Sequence, residues 1–304
     1  MKVLITGGAG YIGTALTSSL LQEKSVEQII IYDNLSRSNR NFFIGVDKLN
    51  ADRLKFIQGD ILDSRLLKKV VQEVDVVYHL AANVTTPFSD QNPHLFEQVN
   101  HWGTAELVYA IEGSNVQRLI YLSSVSVYGA SNKVYQVGDI PVPKTFYGIS
   151  KLRGEEHMGR LFDKMDAYII RCGNVYGYNK SMRFDAVINK FMFEANFKKR
   201  INVKGSGEQY RPFIHINKTA HSLAELSSNS LKGGTYNLVE HNLAIGEVVK
   251  NLREVYPALE IIFVDQHMKM RQLKVEGSDE LQETWNSKSS LYDELLEFKK
   301  AFTF

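Results

Sequence analysis

Val3-Leu4-Ile5-Thr6-Gly7-Gly8-Ala9-Gly10-Tyr11-Ile12-Gly13 reads as a strand, a glycine turn and the start of a helix. The apolar residues stop at Thr6, glycines recur at 7, 10 and 13, and Ala15, Leu16, Leu20 and Leu21 return at helical intervals. Chemistry accounts for the glycines. Without a Cβ the turn can take positive φ, a pyrophosphate can reach the backbone, and the helix start offers free N–H groups and the positive end of its dipole. A tight turn before any helix could carry the same glycines. The preceding strand and a downstream acidic residue favour dinucleotide binding, with Gly7, Gly10, Tyr11, Ile12 and Gly13 as candidate cofactor contacts.

That acidic residue closes the second apolar run, Val26 to Tyr32, as Asp33-Asn34, twenty residues past Gly13. A carboxylate there accepts both ribose hydroxyls of an adenosine and repels the extra phosphate of NADP, so NAD is the expected cofactor. Arg37 and Arg40 read as solvated loop charges, and the segment from Ser36 to Arg53 is polar and irregular. A third strand, Leu54 to Ile57, precedes Gly59-Asp60-Ile61, where Asp60 either faces the adenine or caps a helix from Ser64 to Val74. The fourth strand ends in the small residues of His79-Leu80-Ala81-Ala82, against which a flat ligand can lie. A helical pattern then runs from Pro93 to Glu112, with Asn100 read as structural, and a fifth strand from Arg118 leads to Ser123-Ser124-Val125-Ser126-Val127-Tyr128-Gly129.

Tyr147-Gly148-Ile149-Ser150-Lys151 enters a helix that continues to about Asp163. Spacing of four puts Tyr147 and Lys151 on one helical face, although a chain with this much tyrosine and lysine holds such a pair by chance. Context gives the pair meaning. It follows a serine-bearing strand end in a nucleotide-binding sheet. A nearby ammonium favours the phenolate, bringing a phenol that titrates near pH ~10 toward acid/base use at neutrality. Ser124 can hold the same substrate oxygen by a hydrogen bond.

These residues resemble the extended short-chain dehydrogenase/reductases, in the NAD-dependent branch of nucleotide-sugar epimerases and dehydratases that includes UDP-glucose 4-epimerase. Thr6 to Gly13, Asp33-Asn34, Gly59-Asp60-Ile61, His79 to Ala82, Asn100 with Gly103-Thr104, Ser123-Ser124, Tyr128-Gly129 and Tyr147 with Lys151 keep the family's order and spacing. The resemblance implies that Asp60 and Ile61 border the adenine, that Leu80, Ala81 and Ala82 line the cofactor, and that Asn100 belongs to the cofactor-side helix. It also implies that Ser124, Tyr147 and Lys151 form the catalytic group, with Tyr147 and Lys151 touching the cofactor as well. A homodimer joined through the helices near 93–112 and 147–163 is a further expectation of the family.

The second half is expected to carry the sugar. Ala167 to Arg171 reads as a sixth strand, and Arg171-Cys172-Gly173-Asn174-Val175-Tyr176-Gly177 resembles the family's crossing into its substrate domain. Asn174 would hydrogen-bond the sugar or its phosphates. Arg183 offers either an anion contact or a surface salt bridge, and Asp185 reads as the N-cap of the following helix. Arg211 stands where the family places an arginine on the diphosphate, the alternative being a buried pair with a carboxylate. His215 reads as a packing residue, and Arg271, within the run 268–273, is a candidate second contact to the nucleotide. Asn217 to Asn229 is expected as a helix, Thr235 to Val239 as a strand returning to the first domain, Gly246 to Tyr256 as a helix and Glu260 to Val264 as a strand. No final helix is clear before Phe304.

The expected architecture is therefore α/β, a doubly wound parallel (Rossmann) sheet with a smaller mixed α/β carboxy-terminal domain. The NAD-binding domain takes residues 1–174 and recovers 217–240; the substrate-binding domain takes 175–216 and 241–304. A net charge of +2 calls for neither nucleic acid nor a membrane surface as partner. The single Cys172 excludes an internal disulfide. With the first apolar run too short for a signal peptide, that predicts a cytoplasmic protein. No residues show metal-ligand spacing, so no metal is expected.

By resemblance, three reactions share these parts: 4-epimerisation, 4,6-dehydration and net dehydrogenation or reduction. The family's dehydratases carry an Asp-Glu pair directly after the catalytic hydroxyl residue, where this chain has Val125-Ser126, so dehydration is not expected. Epimerase-reductases of the GDP-fucose pathway use a cysteine and a histidine; Cys172 lies before the domain crossing, and Asp33 disfavours NADP. An NAD-dependent nucleotide-sugar 4-epimerase is expected, with a 4-dehydrogenase acting on a GDP-linked sugar as the alternative. A non-catalytic NAD-binding regulator is the alternative from another class.

Overall fold

Aliphatic runs with almost no polar interruption fit strands buried on both faces, and the first half folds that way. The computed structural model describes residues 1–44, 52–84, 92–267, 270–285 and 289–302. Its strands are β1 (Lys2–Thr6), β2 (Gln28–Asp33), β3 (Leu54–Gln58), β4 (Val76–His79), β5 (Arg118–Ser124), β6 (Val134–Tyr135) and β7 (Asp166–Cys172). The second half adds β8 (Asn174–Tyr176), β9 (Arg200–Lys204), β10 (Tyr210–His215), β11 (Gly234–Leu238), β12 (His241–Ala244), β13 (Glu260–Val264) and β14 (Lys274–Val275). Seven of these make one parallel sheet in the order β11-β7-β5-β4-β1-β2-β3. Strand order reverses beside β1, which opens a cleft at the carboxyl ends of β1 and β4.

The helices are α1 (Tyr11–Leu20), α2 (Ser64–Val71), α3 (Pro93–Phe96), α4 (Gly103–Glu112), α5 (Phe146–Met158), α6 (Val187–Lys198), α7 (Ile216–Glu225), α8 (Ile245–Val255), α9 (Asp279–Gln282) and α10 (Leu291–Lys300). Leu16 and Leu20 of α1 and Leu223 of α7 pack on one face of the sheet against Ile29, Ile31 and Ile170. Leu67, Leu107 and Met158, from α2, α4 and α5, pack on the other against Ile30, Val77 and Leu119. The sheet is thus covered on both sides, as the doubly wound reading requires. A second core, with Phe191, Met192, Val248, Leu252, Leu295 and Phe298, lies among α6, α8 and α10. Small sheets β12-β10-β8 and β13-β9 accompany it.

Several local expectations differ from the structure. The helical run from Pro93 to Glu112 is continuous, but Glu97–Trp102 forms a π-turn between α3 and α4, and Asn100 sits in it. Asp63, not Asp60, caps α2, accepting the Leu66 N–H at 3.0 Å. Asp185 is not the N-cap of α6; Ala186 takes that position, and the Asp185 carboxylate is drawn to Arg183 instead. A final helix exists, α10, started by a capping box between Ser290 and Asp293. Residues near 281–285, expected with the substrate-binding segment, lie against the first layer. There Leu281 and Trp285 pack into its core, and the Trp285 indole donates to Ser222 at 2.7 Å.

Candidate active site

The glycine turn is shaped by what it must not carry. Gly7 holds φ at +71°, and a Cβ on it would stand 2.6 Å from the Ala81 nitrogen, so β1 and the segment after β4 approach at backbone distance. A Cβ on Gly13 would meet the Gly8 Cα at 2.6 Å. Asp33 lies beside this turn, its carboxylate accepting the Ala9 N–H at 3.1 Å and the Leu35 N–H at 2.8 Å. Burial pushes its pKa up while those two N–H groups pull it back. Asn34 donates to Asp60 at 2.9 Å, bringing together the two loop ends expected around an adenosine, with Ile61 buried behind them.

Asn100 is fully buried and engaged at both ends of its amide: Oδ1 accepts the Asn83 N–H at 2.7 Å, and Nδ2 donates to the Asn83 carbonyl at 2.9 Å and to Ser150 at 3.0 Å. It clamps the segment that follows Ala81 and Ala82. Tyr11 turns its phenol away from the turn and donates to the Gly177 carbonyl at 2.6 Å, so only its backbone is left to face a cofactor. Ile12 is half-buried against the cluster of Tyr11, Ala15, Ile216 and Ala220, and Leu80 against the first core.

Ser124 ends β5, and Tyr147 lies in the first turn of α5, whose N-cap Thr145 accepts the Gly148 N–H at 3.0 Å. Gly148 lets that turn press on the strand end, because a Cβ there would lie 2.6 Å from the Ser126 carbonyl oxygen. The Ser124 hydroxyl consequently stands near enough to the Tyr147 phenol to act on its pKa. Burial raises the pKa of that phenol, while Ser124 and the Arg183 guanidinium lower it. Lys151 is buried, its ammonium 4.3 Å from the centre of the Tyr121 ring. Burial brings it down to about 7, against which Glu155 pulls it up. The Arg183 guanidinium thus acts on the phenol as well, a cation that the sequence reading did not place there.

Toward the second core the site is cationic. Arg211 donates to the carbonyls of Tyr210, at 2.8 Å, and of Arg271, and Arg271 donates to the Lys144 carbonyl at 3.2 Å. Neither has a carboxylate partner among the described residues, and burial together with the Arg271 charge lowers the pKa of Arg211. The alternative of a buried Arg211–carboxylate pair is therefore not met among the described residues. Arg183 pairs with Asp185 through two bonds of 3.0 and 2.8 Å, and Arg37 comes close enough for both charges to act on it. Asn174 is exposed at the start of β8 and donates to the Pro212 carbonyl at 2.9 Å. Met268 and Lys269, which belong to the run holding Arg271, lie outside the described residues.

The profile of the NAD dependent epimerase/dehydratase family matches residues 3–238. The chain belongs to that family. Among relatives, human dTDP-D-glucose 4,6-dehydratase is 30% identical over 259 residues, covering 83% of this chain and 73% of that protein. UDP-glucose 4-epimerase of Erwinia amylovora is 36% identical over 160 residues, covering 51% of this chain and 47% of its own length. The fold matches UDP-glucuronic acid 4-epimerase of Bacillus cereus, crystallised with UDP-glucuronic acid and NAD, at a TM-score of 0.86 with 24% identity and 99% of both chains covered.

For a member of an NAD-dependent family, the turn passes a test of fit. At Gly7 and Gly13 backbone already stands where a Cβ would go, the tight turn that a pyrophosphate-binding loop requires, and the anchored Asp33 carboxylate stands beside it with lone pairs to spare. Sequence reasoning missed Asn189, fully buried on α6, which accepts the Gly177 N–H at 3.0 Å and donates to the Arg183 carbonyl at 3.1 Å, holding both ends of the segment that presents Arg183. Its one signal is a polar residue between the apolar Ile188 and Phe191 on an inward helical face.

Proposed function

We propose that this enzyme is an NAD-dependent nucleotide-sugar 4-epimerase. Held by the turn from Gly7 to Gly13 and by Asp33, NAD would supply the acceptance of hydride from the sugar C4 and its return to the opposite face. Tyr147 accepts the proton of the C4 hydroxyl as the carbonyl forms and gives it back when hydride returns, so proton and electron pair are both restored. Ser124 holds the reacting oxygen, and Lys151 supplies charge beside the phenol. Arg211 and Arg271 would take the diphosphate bidentately, and Arg183 and Asn174 the sugar side.

The observation that carries this reading is the strand end itself. Ser124 stands beside Tyr147, while the next two positions are the buried Val125 and the half-buried Ser126, whose hydroxyl lies 3.2 Å from that of Ser124. Removing water across C5 and C6 needs an additional acid and base, and a valine and a serine offer no carboxylate for it. Cys172 is also unsuited to acid/base work, because burial pushes its thiol up to about 12. Exposed Trp102, Tyr109 and Phe146 along α4, α5 and the π-turn support a homodimer through these helices.

The test is incubation of the pure protein and NAD with UDP-, GDP-, dTDP- and CDP-sugars in turn, following NADH absorbance and the proton spectrum of the sugar. A new anomeric signal without NADH build-up is expected. Accumulating NADH with a keto sugar would make the enzyme a dehydrogenase, a 4-keto-6-deoxy product a dehydratase, and inertness toward every sugar would favour the regulator.

A further inference from the structure

We infer that Glu155, which lies behind the reacting group, is the positioning residue that fixes Ser124, Tyr147 and Lys151 in one geometry. The inference rests on the reading of Tyr147 as acid/base. Tyr147 and Lys151 come from α5 and Ser124 from the end of β5, so their mutual placement depends on how the helix is fastened to the strand. Glu155 stands one turn beyond Lys151 on α5 and is 6% exposed.

Its carboxylate is shared between two strands. Ser123, the neighbour of Ser124 on β5, donates to Oε1 at 2.5 Å, and Arg171 on β7 donates through Nε at 3.1 Å to Oε1 and through Nη2 at 2.7 Å to Oε2. These strands are in register here, Ser123 opposite Arg171 and Ser124 opposite Cys172. One carboxylate thus ties the catalytic helix to the very rungs on which Ser124 sits. Arg171 is fixed in turn, donating to the Tyr128 hydroxyl at 2.9 Å, which donates to Asn237 on β11 at 2.8 Å.

Stability alone gives a weak reason for such a pair, since apolar side chains of equal volume often hold a core as well as a buried ion pair does. Direction and charge are what the carboxylate adds. Lys151 faces the Tyr121 ring from β5, His79 from β4, and Glu155 from its own helix with Arg171 beyond it. His79 is neutral, brought down to about 3 by burial and by Lys151 itself. Among the described residues, the negative charge acting on Lys151 is that of Glu155.

The experiment compares Glu155→Gln, Ser123→Ala and Tyr147→Phe in the full-length enzyme with saturating NAD and the sugar it turns over. Glu155→Gln keeps the shape and loses the charge. Its kcat should fall about 10-fold and the high-pH limb of kcat should move down by about one unit, because Lys151 then sheds its proton earlier. The melting temperature should fall, because Arg171 is left buried without its counter-charge, while KM for the sugar and the calorimetric affinity for NAD stay near wild type. Ser123→Ala leaves the Arg171 pair in place and should lower kcat by about threefold without moving the limb. Wild-type kcat and pH limb in Glu155→Gln would overturn the inference, as would a loss seen only in melting temperature or NAD affinity. If Glu155→Gln does not fold, wild-type kcat in Ser123→Ala overturns it. Full activity in Tyr147→Phe would instead defeat the acid/base reading, so the two failures are separable.

Discussion

The two ends of the cleft are built from different materials. At the end proposed for the cofactor, backbone meets backbone: the missing Cβ atoms of Gly7 and Gly13 let it pack at contact distance, and His79 is held uncharged between the hydroxyls of Thr6 and Thr104 at 2.8 and 2.9 Å. At the end proposed for the sugar the groups are long charged side chains, Arg211 and Arg271 side by side and Arg183 paired with Asp185 near Arg37. A site made of backbone is settled by folding and accepts no substitution. One made of long side chains can be retuned while the large sheet stays as it is. Damage at the first end should therefore remove cofactor binding and stability together, and damage at the second should cost affinity for the sugar alone.

The largest effect belongs to the residue between the ends. Tyr147→Phe should lower kcat by about 10³-fold, within the range for a lost acid/base, while calorimetry shows unchanged NAD binding. A loss of NAD affinity instead would move Tyr147 to the cofactor side of the comparison. Next comes Gly13→Val. Its Cβ would collide with the Gly8 Cα, so NAD affinity should drop by about 100-fold, roughly 3 kcal/mol, with a lowered melting temperature. Retained NAD binding in that variant would show that the turn yields, and the contrast between the two ends would weaken.

At the sugar end, Arg211→Met should raise KM for the nucleotide sugar by about 10- to 50-fold, the worth of charge-assisted hydrogen bonds, with NAD affinity and melting temperature held. Arg271→Met should do less, because Arg271 is exposed where Arg211 is half-buried. If Arg211→Met weakened NAD instead, the guanidinium would serve the cofactor.

The same contrast explains what could be read in advance. A backbone site needs particular residues at fixed spacing, so Gly7 to Gly13 and Asp33 are legible in the sequence, and the apolar runs of β1 to β5 make the parallel sheet legible with them. Tyr147 and Lys151 are legible only through their context. That a second cation acts on the phenol is not, because Arg183 arrives from a segment 36 residues further along the chain by a fold that spacing does not encode. Asp185 has the composition of an N-cap, yet a nearby guanidinium outcompetes the helix start for it. Asn189, Glu155 and Ser123 leave almost no trace, since a buried polar residue in an apolar pattern shows that a partner exists and not which one. The capping box of α10 is the exception: Ser290 and Asp293 have the spacing that marks a helix start.

The smallest effect is expected where the two ends touch. The loop after Asp33 is stitched to the crossover by Asn41, donating to the Lys180 carbonyl at 2.7 Å, and by Asn39, donating to the Ser181 carbonyl at 3.4 Å. Lys180 returns a bond to the Ile44 carbonyl at 2.6 Å, and Ser181 accepts one from Thr14 on α1 at 3.0 Å. Together with Asp33 bound to Ala9, these contacts close a ring that runs from the glycine turn through both loops and back. An epimerase has to retain reduced cofactor until hydride returns, so such a ring bears on turnover as well as on binding. Each neutral hydrogen bond is worth about 1 kcal/mol, so Asn41→Ala should release bound NAD about fivefold faster in a chase experiment, and the longer bond of Asn39 should matter less. At saturating NAD, kcat should hold while traces of free NADH appear during turnover. Unchanged release from the double variant would mean that the two ends are joined through α1 alone, and that cofactor retention belongs wholly to the backbone site.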